Sequence, residues 1–505
     1  MTRYTLIKET GYNNEVDQQT IESIKKDAQE FAYINGLVLK SKTPESSGSE
    51  SATPAPVALL PTPFPRYTFE EAYRIHDALA NLYHVLSQDR EFIDRVIEPL
   101  THGDEFTKRL YDIYLATRDD PLTHKASLEI SRSDYMVDKV KDPSGNSHAH
   151  LFKQVEFNTV AVSFSSLSAV TRNLHEFITG KPYYKKFLSS DHETNLQDLP
   201  DNQSLAGLSQ ALYSAHKEFD LDGASILVVV QPGERNKYDQ LHLQHHLYRT
   251  YGVHTIRKTL AEINKEAKVG EKHDKRLLYI DETLISTVYF RSGYAPTDYP
   301  TEDEWSARLL LEKTYTIKGP TVAYQLVGCK KAQQVLTIPG ELEKYEKSTD
   351  KIPGLRKTFA GIYPLDQSEL GLKAYELALS QPTKFVLKPQ REGGGYNVYK
   401  ENIPAFLKNL TKEERGAYIL MELIQPPVFG NWLMKEGGEI IYADVVSELG
   451  IYGAYVCNKS GELSGSPVGH LLRSKPSNID EGGVASGFGV IDSPALISDE
   501  FSHDI

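Results

Sequence analysis

The stretch Phe385-Val386-Leu387-Lys388-Pro389-Gln390-Arg391-Glu392-Gly393-Gly394-Gly395 decides how the rest of the chain is read. A short apolar run of strand character feeds into two cations, one carboxylate and three consecutive glycines. Glycine lacks Cβ, so such a loop reaches positive φ and brings its N–H groups close to an anion. Lys388 and Arg391 carry the charge a polyphosphate requires, and Glu392 is a hard oxygen donor for a divalent cation. A bare triple glycine would suit a solvated hairpin; the flanking Lys, Arg and Glu favour a nucleotide-binding loop. The string is not a P-loop, because G-x-x-x-x-G-K-[ST] occurs nowhere in the chain.

Outward from that loop, composition narrows the class of protein. The 505 residues are 40% hydrophobic and 25% charged, ordinary for a globular chain and enough for about three domains. A net charge of −13 and a pI near 5.7 argue against an extended nucleic-acid surface. A metabolic enzyme with a local basic pocket fits better. The two cysteines, Cys329 and Cys457, lie far apart and outside any C-x-x-C motif, against a disulfide scaffold or zinc site. Met1 to Asp17 lacks the apolar core of a signal peptide, and no run approaches membrane-spanning length. The expected address is the cytoplasm, with neither membrane nor nucleic acid as partner.

Along the chain, Ile21, Ile24, Ala28, Phe31 and Ile34 recur at helical spacing between Val16 and Asn35, with Gly36 as C-cap. The Ser/Thr/Pro/Glu-rich run Lys40 to Pro65 predicts an exposed, low-complexity loop. Thr68-x-x-Glu71 predicts a capping box opening a helix to about Ser87, with more helix through Ala116. Leu128 to Lys139 and His150 to Val160 predict paired strands joined by the polar turn Asp142 to Ser147. Glu156 and Asn158, two apart, then share one sheet face, and their oxygens suit either solvent or Mg²⁺.

Ser225 to Val230 is a continuous apolar run of the kind a buried parallel strand needs. With the helix Tyr238 to Tyr251 and the strand His254 to Lys258 it predicts a small doubly wound unit. His242, His245 and His246 lie on that polar helix without Cys or carboxylate partners and are read as surface residues. Leu277 to Phe290 supplies further strands, Trp305 to Tyr315 an amphipathic helix, and Tyr418 to Ile424 and Ile440 to Val446 strands beyond the glycine loop. Gly461 to Gly489, rich in Gly and Ser and holding Arg473 and Lys475, predicts a loop able to close over a ligand. No G-x-S-x-G and no cysteine with a local base occurs. Cations, oxygen ligands and glycine loops are the equipment of phosphoryl transfer, where positioning and charge neutralisation suffice.

These blocks carry a resemblance. Lys388 to Gly395, Ala417 to Glu422 and Ser447 to Ile451 resemble the eukaryotic-type glutathione synthetases of the ATP-grasp superfamily. So do Ser131 to Tyr135, Gln154 to Thr159, Gly233 to Asn236, Tyr289 to Tyr294, Val468 to Arg473 and Gly482 to Ala485, in order from about residue 130 to 490. The resemblance implies ligation of glycine to γ-glutamylcysteine, driven by ATP through an acyl phosphate, giving glutathione, ADP and phosphate. A different amine such as β-alanine or serine, or a non-catalytic relative, are the alternatives. It implies Mg²⁺ held by Glu156, Asn158 and Glu392, and a homodimer.

Position by position, Arg132, Arg473 and Lys388 match catalytic groups. Nucleotide contacts are matched by Glu156, Lys330, Lys388, Pro389, Gln390, Arg391, Glu392, Gly393, Gly394, Gly395, Tyr396, Asn397 and Tyr399. Met421, Glu422, Leu423 and Ile424, which would meet the adenine, together with Glu448, Lys475 and Glu481, complete that set. The peptide and glycine sites are matched by Arg132, Val160, Ala161, Val162, Ser163, Glu234, Arg235, Asn236 and Gln240, and by Arg291, Ser292, Gly293, Tyr294, Arg473, Val484 and Ala485. Ser292, Tyr396 and Ser486 depart from the residues most relatives carry. The implied fold is an ATP-grasp α/β architecture with antiparallel sheets and a glycine-loop lid over about residues 363–445. Its core takes 1–222 and 330–505 with a helical N-terminal part, and residues 223–329 form a parallel α/β substrate-binding domain.

Overall fold

The computed structural model describes residues 4–6, 11–42, 51–141, 148–188, 198–272, 274–346, 348, 350–391, 395–497 and 500–502. The turn expected over Asp142 to Ser147 and the segment Glu392 to Gly394 of the glycine loop lie outside these residues.

The strand pair expected around residue 130 forms the centre of the molecule. Ser127–Lys141 and His148–Asn158 run antiparallel, placing Arg132 opposite Asn158 and Asp134 opposite Glu156. On its other edge Ser127–Lys141 pairs antiparallel with Ile440–Cys457, so that Gly450 stands opposite Asp134. Ile440–Cys457 in turn pairs with Leu463–Pro476, and Glu448 faces Arg473. Through Phe429–Met434, Val57–Ala58 and Val490–Asp492 the pairing returns to Leu463–Pro476, closing a ring of strands.

The parallel unit is present but is not a separate sheet. Ser225–Val229, buried throughout, pairs parallel with Thr283–Phe290 and Thr255–Lys258. Thr283–Phe290 continues through Ile317–Gly319, which meets Ser127–Lys141 at Lys318 and Ser127. Burial on both faces explains why Ser225–Val229 reads as an unbroken apolar run.

Four strands stand apart: Ile362–Pro364, Tyr418–Glu422, Phe385–Pro389 and Val398–Tyr399 form an antiparallel sheet of their own. Period-two alternation sends Phe385 and Leu387 to one face, packed with Ala374, Ala378, Ile403 and Leu420, while Val386 joins Ile362, Ile419 and Met421 on the other. This sheet ends at Glu422, short of the expected limit near 445, because Phe429–Met434 and Ile440–Cys457 are claimed by the large sheet. Both chain crossings into the small sheet are tied to the central hairpin. Lys153 Nζ donates to the carbonyls of Lys357 (3.0 Å) and Phe359 (2.9 Å), and Gln425 N donates to Asp138 Oδ1 at 2.8 Å.

The first helix, Gln18–Asn35, is capped by Asp17, which accepts from Thr20 N, and ends at Gly36 with φ 66°. Ile24, Ala28 and Ala32 form its buried stripe, whereas Ile34 is 82% exposed.

Three sequence expectations are corrected. Residues 51–65 are not an exposed loop: Val57, Ala58, Leu59, Leu60 and Phe64 are buried, and Thr62–Pro65 pairs parallel with Pro494–Ile497. The apolar run inside that Pro-rich stretch outweighs its composition, and the prolines sit in a two-stranded edge pair that does not need every N–H. The helix expected at Thr68 begins at Arg66 after Pro65, with Thr68 buried inside it and Glu71 bonded to Arg74 rather than to a cap. Finally, about half of Gly461 to Gly489 is strand, since Leu463–Pro476 pairs along its length, and 477–489 is the loop. Its glycines serve close packing: a Cβ on Gly469 would lie 2.5 Å from Asn202 Oδ1.

Candidate active site

Between the small sheet and the face of the large one lies a cleft of about 640 Å³. Its floor follows from strand register. Arg132 and Asp134 on one strand, and Asn158 and Glu156 on its neighbour, each stand two residues apart, so all four emerge on one face. Gly450 opposite Asp134 leaves them room, because a Cβ there would sit 2.6 Å from Asp134 Oδ1 and 2.7 Å from Arg132 Cδ.

Asp134, with no exposed side-chain surface, is the hub of this floor. It accepts from Arg132 Nε (2.6 Å) and Nη2 (2.8 Å), Asn158 Nδ2 (3.0 Å) and Arg473 Nη2 (3.1 Å). Arg473 also bonds Glu448 across the neighbouring strand pair. Lys330 Nζ stands 2.8 Å from Glu156 Oε2, and Lys388 Nζ donates to the Val155 carbonyl at 3.4 Å.

The electrostatics follow from this packing. Burial alone would lift the Glu156 carboxyl, but Lys330 and Lys388 outweigh it and hold the group well below the usual carboxylate range. Burial pushes the Lys388 ammonium down, an effect that Glu156 opposes. The Glu448 carboxyl is raised, first by burial and then by Asp134 and Glu156, against the pull of Arg473. Arg132, Lys330, Lys388, Arg473 and Lys475 thus stand with Asp134, Glu156 and Glu448 as donors within reach of phosphate oxygens; with Lys400 against Glu422, Asp480 and Glu481, the cleft as a whole is close to neutral.

The small sheet supplies the roof. Met421, Glu422, Leu423 and Ile424 line the cleft with Val386, Lys388, Asn397 and Tyr399. Glu422 is fixed by Tyr363, whose hydroxyl donates to Oε1 at 2.7 Å. Val160, Ala161, Val162 and Ser163 line another side, where Ala161 (φ 52°) and Phe164 (φ 68°) occupy the left-handed region. The Asp239 carboxylate holds this strained turn by accepting from Phe164 N, Ser166 N and Leu167 N at 3.0, 2.8 and 3.2 Å. Tyr294, Glu448, Arg473, Lys475, Glu481, Val484 and Ala485 complete the expected residues found in the lining.

Other expected residues lie outside that lining. Arg391 turns to Asp104, bonding both its oxygens, and stacks over Phe106 at 5.2 Å. Gln390 ties Lys331 N to the Ala417 carbonyl, and Tyr396 is 41% exposed. Pro389, Ser292 and Gly293 are likewise outside it. Gly395 N reaches Glu481 Oε2 at 3.2 Å, joining the glycine loop to the 477–489 loop. Arg291 pairs with Asp239 at 3.2 Å. Glu234 accepts from Asn236 N and Gln240 Nε2, both at 2.8 Å, and Arg235 donates to the Ala485 carbonyl at 2.6 Å. This group thus meets the cleft through Ala485. Glu392, Gly393 and Gly394 lie outside the described residues.

Sequence reading passed over Asp134, although its spacing from Arg132 was a usable signal, and Lys400 and Asp480, whose 2.7 Å ion pair stands at the rim. Among the described residues no group of three or more His, Cys, Asp or Glu side chains is placed to hold a metal. The donor set nevertheless fits a hard cation. The Asn158 amide nitrogen is engaged by Asp134 and by the Arg132 carbonyl (3.2 Å), which leaves its carbonyl oxygen as the acceptor on the sheet face it shares with Glu156.

Known proteins resemble this chain over nearly its whole length. The family model for eukaryotic glutathione synthase, ATP binding domain, matches residues 18–496. The chain is 38% identical over 491 residues to the chloroplastic glutathione synthetase of Solanum lycopersicum, covering 96% of this chain and 86% of that one. It is 36% identical over 480 residues to the glutathione synthetase of Homo sapiens, covering 95% and 97% respectively. A glutathione synthetase-like effector from Globodera pallida, solved in apo form, superposes with a TM-score of 0.73 at 23% identity over 96% of this chain and 98% of that one. That last likeness shows the fold, which is consistent with an ATP-grasp architecture. The matched family model and the relatives, taken over nearly the whole length, show that this chain belongs to the eukaryotic glutathione synthase family.

Proposed function

We propose that this chain is an ATP-dependent carbon–nitrogen ligase that joins glycine to γ-glutamylcysteine, releasing glutathione, ADP and phosphate. The observation that carries this reading is the cleft itself. It sets Arg132, Lys388 and Arg473 around Asp134, Glu156 and Glu448, beneath a sheet that can cover a nucleotide.

The adenine lies against Met421 to Ile424 and the phosphates run toward Lys388 and Lys330. The cysteinyl carboxylate of the dipeptide attacks the γ-phosphorus in line, forming an acyl phosphate as ADP leaves. The amine of glycine then attacks the acyl carbon, loses its proton and expels phosphate. Arg132 and Arg473, held side by side by Asp134, stabilise the negative charge that develops on the reacting oxygens. Glu156, the Asn158 carbonyl oxygen and Glu392 would hold Mg²⁺, which neutralises phosphate charge during transfer.

The glycine pocket takes Val484 and Ala485. Ser486 Oγ donates to the Gly483 carbonyl at 3.0 Å, which directs its hydroxyl into the loop and supports a small amine. The relatives give no support to a different amine. The family resemblance supports assembly as a homodimer. The cytoplasm is the compartment this reading favours; both cysteines are free, which suits reducing surroundings. No described helix is long and apolar enough to cross a membrane.

The test is incubation of the pure protein with ATP, Mg²⁺, γ-glutamylcysteine and glycine. Equal amounts of ADP and glutathione are expected. ADP without peptide, or neither product, would overturn the reading.

A further inference from the structure

The loop that follows Thr283–Phe290 brings Tyr294 into the cleft, and one buried carboxylate governs its shape. Asp298 Oδ2 accepts from three consecutive backbone N–H groups, those of Gly293 (2.9 Å), Tyr294 (3.0 Å) and Ala295 (3.2 Å). Its other oxygen accepts from Gln231 Nε2 at 2.7 Å, and the same nitrogen donates to the Tyr294 hydroxyl oxygen at 3.0 Å. Asp298 is 7% exposed, so this cluster of donors is shielded from water. Gly293, at φ 91°, provides the turn, and its carbonyl is held by Gln325 Nε2 at 2.8 Å.

A single side chain thus fixes Tyr294 twice, at its backbone directly and at its ring through Gln231. Because the phenol oxygen accepts from Gln231, its own proton is left to donate into the cleft. Burial pushes that phenol up to about 12, and the charges of Asp298 and Glu234 add to the effect, so it stays protonated at physiological pH.

We propose that Asp298 is a positioning residue for the peptide substrate: it sets the 293–295 loop and, through Gln231, aims the Tyr294 hydroxyl at an acceptor oxygen of the bound dipeptide. Asp298 touches no substrate; it acts through Tyr294. The proposal rests on the ligase reading given above. The loop's polar ties run to Gln231, just beyond Ser225–Val229, and to Gln325, so its effect is expected to fall on the dipeptide and to spare ATP.

The experiment compares wild type, Asp298→Ala and Asp298→Asn by titration calorimetry with γ-glutamylcysteine and by steady-state KM for dipeptide and ATP. Asp298→Ala is expected to weaken dipeptide binding about tenfold or more, leaving the ATP KM within about twofold. Asp298→Asn keeps one oxygen for the three N–H groups, but its NH₂ faces Gln231, and turning that amide brings its oxygen to the Tyr294 hydroxyl and draws the phenol proton out of the cleft. It keeps the loop and loses the aim, so its dipeptide affinity is expected to fall between those of wild type and Asp298→Ala. Unchanged dipeptide affinity in Asp298→Ala, equal losses for dipeptide and ATP, or a folded Asp298→Asn as weak as Asp298→Ala would each overturn the proposal. If Asp298→Ala does not fold, Gln231→Leu decides: a dipeptide KM raised about threefold or more supports the aiming role, and an unchanged KM removes it. A wild type that neither binds nor turns over the dipeptide would instead refute the ligase reading, so the two failures are distinct.

Discussion

Asp134→Asn keeps the volume at the hub of the cleft floor and removes its charge. The carboxylate accepts four hydrogen bonds, two from Arg132 and one each from Asn158 and Arg473. Asparagine offers one acceptor oxygen, and its NH₂ would face guanidinium and amide donors. Removing one member of a buried, hydrogen-bonded ion pair costs about 3–5 kcal/mol. Here Arg473 keeps Glu448 as a partner, so a loss near the lower end, about 3 kcal/mol, is expected. Against a typical stability of about 5–15 kcal/mol the variant still folds. The larger effect falls on turnover, because Arg132 loses its bidentate support and a misplacement of about 1 Å can cost on the order of 100-fold. Urea unfolding followed by circular dichroism reads the first effect, and ADP release at saturating substrates reads the second. A variant with an unchanged unfolding midpoint and turnover within about twofold of wild type would refute the hub assignment.

Gly450→Ala places its Cβ 2.6 Å from Asp134 Oδ1, so turnover should fall about tenfold or more while the overpacking costs about 1–3 kcal/mol; normal kinetics would show that the floor yields freely. Glu156→Gln should lower ADP formation by about a thousandfold with the circular dichroism spectrum unchanged, because it removes the anionic ligand proposed for Mg²⁺. Near-native activity at ordinary Mg²⁺ would rule that assignment out. For Asp492, burial lifts the carboxyl from its ordinary 3.8 to about 6, so the folded chain binds this proton more tightly than the unfolded one. Its contribution to stability is present below about pH 4 and lost as pH rises through about 6, on the order of a few kcal/mol. Asp492→Asn should therefore gain in Tm relative to wild type across that window, and a pH-independent Tm difference would contradict the sign.

Much of the site was legible because strand periodicity is simple. Glu156 and Asn158 could be placed on one face from their spacing alone, and the same rule applied to Arg132 and Asp134 would have exposed the hub. The buried parallel strand was legible because Ser225–Val229 is apolar without interruption. What failed was composition. Prolines and hydroxyl residues disguised Val57 to Leu60 as a loop although their side chains are fully buried. In the same way, glycines disguised Leu463–Pro476, where small residues allow strands and helices to approach. Arg391 looked like a phosphate ligand, yet its partner Asp104 lies 287 residues away, a pairing that no local pattern encodes. The loop tie made by Asp239 is likewise non-local, since the N–H groups of Phe164, Ser166 and Leu167 lie more than seventy residues away, whereas Asp298 holds N–H groups only three to five residues before it.

The central claim, ligation through an acyl phosphate, is tested most directly by following oxygen. γ-Glutamylcysteine labelled with ¹⁸O in its cysteinyl carboxylate is incubated with ATP, Mg²⁺, glycine and the pure protein, and the released phosphate is analysed by mass spectrometry. The account predicts one labelled oxygen transferred to each phosphate, in step with the glutathione formed. Glutathione accompanied by unlabelled phosphate would contradict it.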